Sequence, residues 1–363
     1  MVALIAALGL AACEGGEEAT PTSPPTATAT SVPPTATPAP KPLVYVVNED
    51  DNTVSVIDVN MQMVIATIAV ESWPHYVAIA PNGTKAYVTN GESGTVSVID
   101  TATNTVVSSI PVGMDPTEIA IAPDGRTAYT ANFDSSDVSV IDLGMGMLTA
   151  TISTTTEMES MTNAQGVAVS PDGTTVYAAN KSGHVSVIDP HQGMVTSTFH
   201  NAPGLTNVTI SPDGRLIYLG GHGAMEMGDM GGMDMGDMGD TAMGDAHPMN
   251  KDIWVVDLNT GELVATVSTG VMPVDIALSP NGSRAYVLCH GSDELWVIDT
   301  AGMEATATIK VGDNPFGLAV TPDGSRVYVA NKNDNTVSVI DAGTNRVIAT
   351  IPVGKGPRGL AAR

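Results

Sequence analysis

Residues 223 to 251 read "GAMEMGDMGGMDMGDMGDTAMGDAHPMNK" and hold eight of the chain's nineteen methionines: Met225, Met227, Met230, Met233, Met235, Met238, Met243 and Met249. Six carboxylates lie among them, with no Leu, Ile, Val or aromatic residue. A Gly or Asp stands beside nearly every Met and neither helical nor strand periodicity is present, so core packing does not explain the sulfur. Thioethers suit Cu(I), imidazoles suit several ions including copper, and carboxylates raise the local cation concentration. His222 opens the segment and His247 stands near its end. The chemistry this set can do is soft-metal capture, with copper(I) as the expected ion. Zinc is less suited, because no CxxC or HExxH spacing occurs. Two other readings stay open: a soluble low-complexity loop grown from repeats of Met-Gly-Asp, and sacrificial oxidation of methionine to its sulfoxide.

The elements that carry this segment are set by repetition. A phrase ending in V-[IV]-D recurs seven times, its Asp at 58, 100, 142, 189, 257, 299 and 341, with gaps of 42, 42, 47, 68, 42 and 42 residues. Around each Asp lie four short segments, as in "EIAIAPDG", "TAYTAN", "DVSVID" and "MLTATIS", each an alternating or β-branched run bounded by turn residues and therefore a strand. Pro-Asn-Gly or Pro-Asp-Gly joins the first two strands in six units, where Pro sets φ, Asn or Asp bonds its own backbone and Gly takes the positive φ. Those acids, like the seven Asp closing each phrase, are expected to be structural. Four antiparallel strands at a period near forty predict an all-β, seven-bladed β-propeller. The repeat opens at "LVYVVN" without a first strand and stops at "GPRGLAAR", a first strand with nothing after it. The C-terminal strand is therefore expected to complete the N-terminal blade and close the ring, leaving no free edge.

At "AYVTN" (residues 86–90) the repeat resembles the YVTN-repeat, or YncE-like, β-propeller family, whose members are similar to WD40 rings; the likeness covers about residues 43–363. The variants here are "YVVN", "YVTN", "YTAN", "YAAN", "YLGG", "YVLC" and "YVAN". The family implies a fold and no single activity, since its rings act as surface proteins and binding platforms, and related rings carry enzymes. The stretch "MGDMGGMDMGDM" resembles the methionine-rich motifs of extracytoplasmic copper-tolerance proteins.

Two adjacent units depart from the pattern. Five blades end the second strand with Asn (Asn48, Asn90, Asn132, Asn180, Asn331), whereas blade five has Gly221 followed by His222, and blade six has Cys289 followed by His290. Strand alternation puts the second-to-third and fourth-to-first loops on one face. The long gap of 68 thus places the methionine-rich insert there, beside His222, with Cys289 and His290 expected as further ligands. On the same face the innermost strands open with His75, Tyr76, Thr117, Glu118, Gln165, Thr206, Asn207, Asp275, Phe316 and Arg358. They are chemically unlike one another, which fits a channel mouth that recognises an asymmetric ligand, a small molecule or a protein. The alternatives are an extracytoplasmic, lactonase-like hydrolase using His75 with Glu118 or Asp275, and a surface adhesion ring with no metal role. An enzyme is the less favoured reading, and no catalytic residue is assigned.

Residues 1–13, "MVALIAALGLAAC", form an apolar run of signal-peptide length. Leu10-Ala11-Ala12-Cys13 resembles a lipobox, which implies acylation of Cys13 and a membrane-anchored, extracytoplasmic protein at the cell surface or in the periplasm. Residues 14–42 are rich in Thr, Pro and Ala, a composition for an extended stalk. The folded part is expected over residues 43–363. A formal charge of −25, with no basic cluster, lacks the footprint nucleic acid requires. Two cysteines, Cys13 and Cys289, do not make a disulfide framework.

Overall fold

The computed structural model describes residues 41–155, 162–200, 204–222 and 250–363. The proposed signal, lipid attachment at Cys13 and nearly all of the stalk lie outside the described residues. So do His247 and all eight methionines of the insert.

Among the described residues are twenty-eight strands, β1–β28, and one 3₁₀ turn (His290–Ser292). They form seven four-stranded antiparallel sheets. In blade one, β1 (Leu43–Asn48), β2 (Thr53–Asp58) and β3 (Met63–Ala69) are preceded on the inside by β28 (Pro357–Ala362). The pairing of β28 with β1 is antiparallel, Val44 opposite Ala362 and Val46 opposite Leu360. The C-terminal strand thus completes the N-terminal blade, as the incomplete repeat required. Blades two to seven take the intervening strands in runs of four.

Seven separate apolar clusters hold the ring, each between neighbouring blades. The cluster that closes it joins Val44, Val46, Ile57 and Leu360 of blade one to Tyr328, Val337 and Val339 of blade seven. The second strand of each blade is buried on both faces, as "KAYVTN" shows, because a neighbouring blade covers either side; the outermost strand, as in Met63–Ala69, is mostly exposed. The acids expected to be punctuation are that: Asp58 Oδ1 accepts from the amides of Asn60 (2.9 Å) and Met61 (3.0 Å), and Asp124 Oδ1 accepts from that of Arg126 (2.9 Å).

The five Asn residues are interior clamps and not turn residues. Asn48, Asn90 and Asn331 are 0 % exposed, and each donates its amide to two hydroxyls of the third strand, Thr53 and Ser55 in the first case (3.0 and 2.9 Å). In blades five and six the Ser partner has become Trp254 or Trp296, so losing the Asn there leaves no orphaned hydroxyl. Blade five brings in Asn250 instead, whose amide donates to the carbonyls of Gly221 (2.7 Å) and Asp252 (2.8 Å) and pins the two ends of the insert together.

Candidate functional site

One backbone hydrogen bond is repeated in all seven blades and arranges the loop face. The residue just past the second strand donates its N–H to the carbonyl of the corner residue preceding the innermost strand. The donors are Glu49, Gly91, Phe133, Lys181, His222, His290 and Lys332, and the acceptors are Gly356, Trp73, Asp115, Asn163, Gly204, Met272 and Asn314, at 2.7 to 3.0 Å. Every acceptor has positive φ, between 49° and 77°. Asn, Asp and Gly take that conformation readily; Trp73 and Met272 do so against their bulk. The donor column therefore sets one Glu, one Gly, one Phe, two Lys and two His around the mouth, and His222 and His290 are the two histidines. Sequence reasoning singled out only those two; aligning the residue after the "YVTN" phrase across all blades would have shown the rest.

His222 and His290 do come together, with ring centres 6.3 Å apart and planes inclined by 28°. His290 also meets the edge of Phe316 at 5.5 Å. Burial, then His290, Lys181 and Arg358, pushes His222 down to about 3, and His290 is lowered mainly by burial. Both rings are therefore neutral. The backbone at Pro315 lies beside His290, whose buried Nδ1 has no hydrogen-bond partner. Cys289 does not join them: it is 0 % exposed within the apolar cluster between blades five and six, its thiol pushed up to about 11 by burial. Among the described residues no three His, Cys, Asp or Glu side chains converge as a metal-binding group.

The innermost strands supply the tiers below. A cavity of about 60 Å³ is lined by His75, Tyr76, Thr117, Glu118, Gln165, Asn207, Asp275 and Arg358, together with Thr206, His222 and Phe316. The expected mouth residues thus share one site. Several act as ties between blades: Thr117 Oγ1 donates to the Gln165 carbonyl (2.7 Å), Asn207 Nδ2 to Asp275 Oδ1 (2.9 Å), and the Val167 and Leu318 amides to Glu118 Oε2 (3.0 Å) and Asp275 Oδ2 (2.8 Å). Burial raises Glu118 well above the ordinary carboxylate range, with Asp275 adding to it, and pushes Asp275 up to about 7. Gln165 Oε1 and Asn207 Oδ1 are buried without a donor.

Beside the mouth, Glu49 gathers charge from three blades. It is 2 % exposed, pairs with Lys332 Nζ at 2.7 Å and with Arg358 Nη1, and stands 3.4 Å from His75 Nε2. Lys332 and Arg358 also lie over the Phe316 ring, at 5.7 and 4.7 Å from its centre. Burial alone would raise Glu49, but Arg358, His75 and Lys332 together hold it far below the usual range. His75, 5 % exposed and lowered by burial and by Arg358, faces Asp115 Oδ1 at 3.6 Å on its other side. It is a buried link between two carboxylates and not an open base.

With the ring and its mouth described, likeness to known proteins adds the following. The family described as YNCE-like beta-propeller matches residues 4–144, and the family described as lactonase, 7-bladed beta-propeller, matches residues 244–347. No curated protein matches the chain. Among solved structures, a hydrazine synthase chain of Kuenenia stuttgartiensis aligns with TM-score 0.70 at 23 % identity, covering 86 % of this chain and 99 % of that one. A functionally unknown protein from Desulfotomaculum acetoxidans aligns with TM-score 0.70 at 16 % identity, over 88 % of this chain and 98 % of that one. Dihydro-heme d1 dehydrogenase NirN, in complex with DHE, aligns with TM-score 0.61 at 18 % identity, over 90 % and 67 %. At these identities the structures speak for the fold alone. The chain is a seven-bladed β-propeller, similar to YNCE-like rings over its first part and to seven-bladed lactonases over residues 244–347.

Proposed function

We propose that this protein is a non-enzymatic binding platform, held at a membrane surface through Cys13, that captures copper(I) where blades five and six meet on the loop face. The observation that carries the reading is the His222–His290 pair. The two rings lie stacked with centres 6.3 Å apart and planes inclined by 28°, so a turn of the side chains about χ is needed to aim one in-plane nitrogen of each at a shared ion. Metal binding needs neutral imidazole, and burial keeps both rings so. A ligating histidine needs a nitrogen not spent on another hydrogen bond, and the buried Nδ1 of His290 has no partner. Asn250 pins the insert's exit against its entry, so eight thioethers belong to a segment that starts and ends beside this pair. Copper, when bound, would be held by His222 and His290 with methionine sulfur completing a soft set.

The test is Cu(I) titration against a competing chelator on three proteins: the intact chain, a deletion of residues 224–249, and His222→Ala/His290→Ala. Tight uptake that the deletion weakens at least tenfold, and the double substitution weakens further, is the expected result. Uptake indifferent to both changes would overturn the reading.

A second reading, hydrolysis of a lactone at the channel mouth, is favoured by the lactonase match over residues 244–347 and by Asp275, whose carboxyl is poised at about 7. It requires a neutral substrate small enough for the mouth, and Glu118 or Asp275 as the proton-handling group.

A further inference from the structure

The loop face carries a second cleft besides the channel mouth. It has a volume of about 770 Å³, within the range of small-ligand sites, and lies where blades one, two and three meet. Its lining includes Glu49, Asp50, Glu92, Asp115 and Asp134, and no lysine or arginine is among the described residues that line it. Arg358 and Lys332 satisfy Glu49 from below. The other four carboxylates have no such cation, and Asp115 is pushed up first by burial.

One further observation points to a ligand. Trp73 is 37 % exposed and Met114 is 62 % exposed, so an aromatic face and a thioether chain wall an otherwise acidic space. Trp73 occupies the corner position that Gly, Asn or Asp fills in five other blades, although an indole gains nothing there from packing in a core. Beneath it lies His75, 5 % exposed, with Nε2 3.4 Å from Glu49 Oε1 and Nδ1 3.6 Å from Asp115 Oδ1. Its surroundings are the cleft's own lining: Trp73 at 5.6 Å edge-on, Asp115 and Glu49 on either side, and Gly91 above. A Cβ on Gly91 would lie 2.6 Å from Asp115 Oδ1 and 2.7 Å from His75 Cε1, so a side chain at that position would intrude on both groups.

We propose that this cleft binds an organic cation, an alkylammonium or alkylguanidinium, with its stem along Trp73 and Met114 and its charge among Asp50, Glu92, Asp115 and Asp134. A cation over an indole face gains from the ring quadrupole, and carboxylates around it supply charge-assisted acceptors. The site is remote in sequence from His222 and His290 and needs no metal, so it stands or falls separately from copper capture.

The experiment is titration of the full chain with n-butylguanidinium, read by indole fluorescence and calorimetry, with n-butylurea as the neutral counterpart. Saturable binding of the cation and none of the urea is expected. Trp73→Ala should weaken it about three- to tenfold, and Glu92→Gln/Asp134→Asn, at exposed positions that leave the fold intact, should weaken it and flatten its salt dependence. A short arginine-containing peptide added in parallel separates the sources: tighter binding than the free guanidinium assigns a polypeptide side chain, and equal or weaker binding assigns a free amine. Equal affinity for the urea, or unchanged affinity in both variants, would overturn the proposal.

Discussion

Replacing Glu49 by Gln removes one buried charge and strands two others. The carboxylate is 1 % exposed as a side chain and holds Lys332, 11 % exposed, and Arg358, 18 % exposed, across the seam where blade seven meets blade one. Removing one partner of such a pair typically costs about 3–5 kcal/mol, because the remaining charge stays desolvated without compensation. The two basic side chains keep some contact with water, so the lower end, about 3 kcal/mol, is expected here. For a domain of this size that corresponds to a fall in Tm of about 4–5 °C. The pH dependence gives a second signature. Glu49 is held below its ordinary value, so the stability it contributes is present above the unfolded pKa and is lost as pH falls below about 4. Thermal melts by circular dichroism from pH 3 to 8 should show an acid limb that is shallower in Glu49→Gln than in wild type, and Lys332→Met added to Glu49→Gln should recover part of the loss. A variant melting within a degree of wild type, or retaining the full acid limb, would refute the reasoning.

Asp275 has the opposite sign: with its folded pKa raised to about 7, its contribution is greatest below about pH 4 and is lost as pH rises through 7, so Asp275→Asn should flatten the Tm profile between pH 4 and 7. An unchanged slope would assign it to Glu118 or elsewhere; the same variant tests the hydrolase reading, which gains only if a lactone panel is turned over by wild type and spared by the variant. Gly317→Ala puts a Cβ 2.2 Å from the Arg358 carbonyl in the innermost strand of the next blade, and overpacking of this kind costs about 1–3 kcal/mol or more. Its Tm should fall by several degrees, whereas Gly146→Ala, with nothing within 4 Å, should show only the smaller cost of its positive φ; equal melts for the two would dismiss the clash.

Much of the architecture was readable because it is written locally and written seven times. The Pro-Asp-Gly turns, the alternation of "TVSVID" and the missing first strand each specify structure within a few residues, and the ring adds only closure, confirmed by Val44 opposite Ala362. The proximity of His222 and His290 was also legible, since both occupy one column of the repeat in neighbouring blades. Glu49, Lys332 and Trp73 were not singled out. Each looks unremarkable in its own phrase, and its partners lie up to 309 residues away, as for Glu49 with Arg358. Cys289 stood next to His290 in the chain, yet Cys289 ends a strand and went into the core, whereas His290 opens the 3₁₀ turn that leaves it.

The sequence by itself determined the seven sheets, their order and the face that carries the long loops, because strand period and turn chemistry act over a few residues. Only the tertiary structure decided which charges are buried together, which nitrogen is left without a partner and where an indole meets four carboxylates. Burial and Coulomb energy depend on distance through space, and a closed ring brings together residues that the chain keeps hundreds of positions apart.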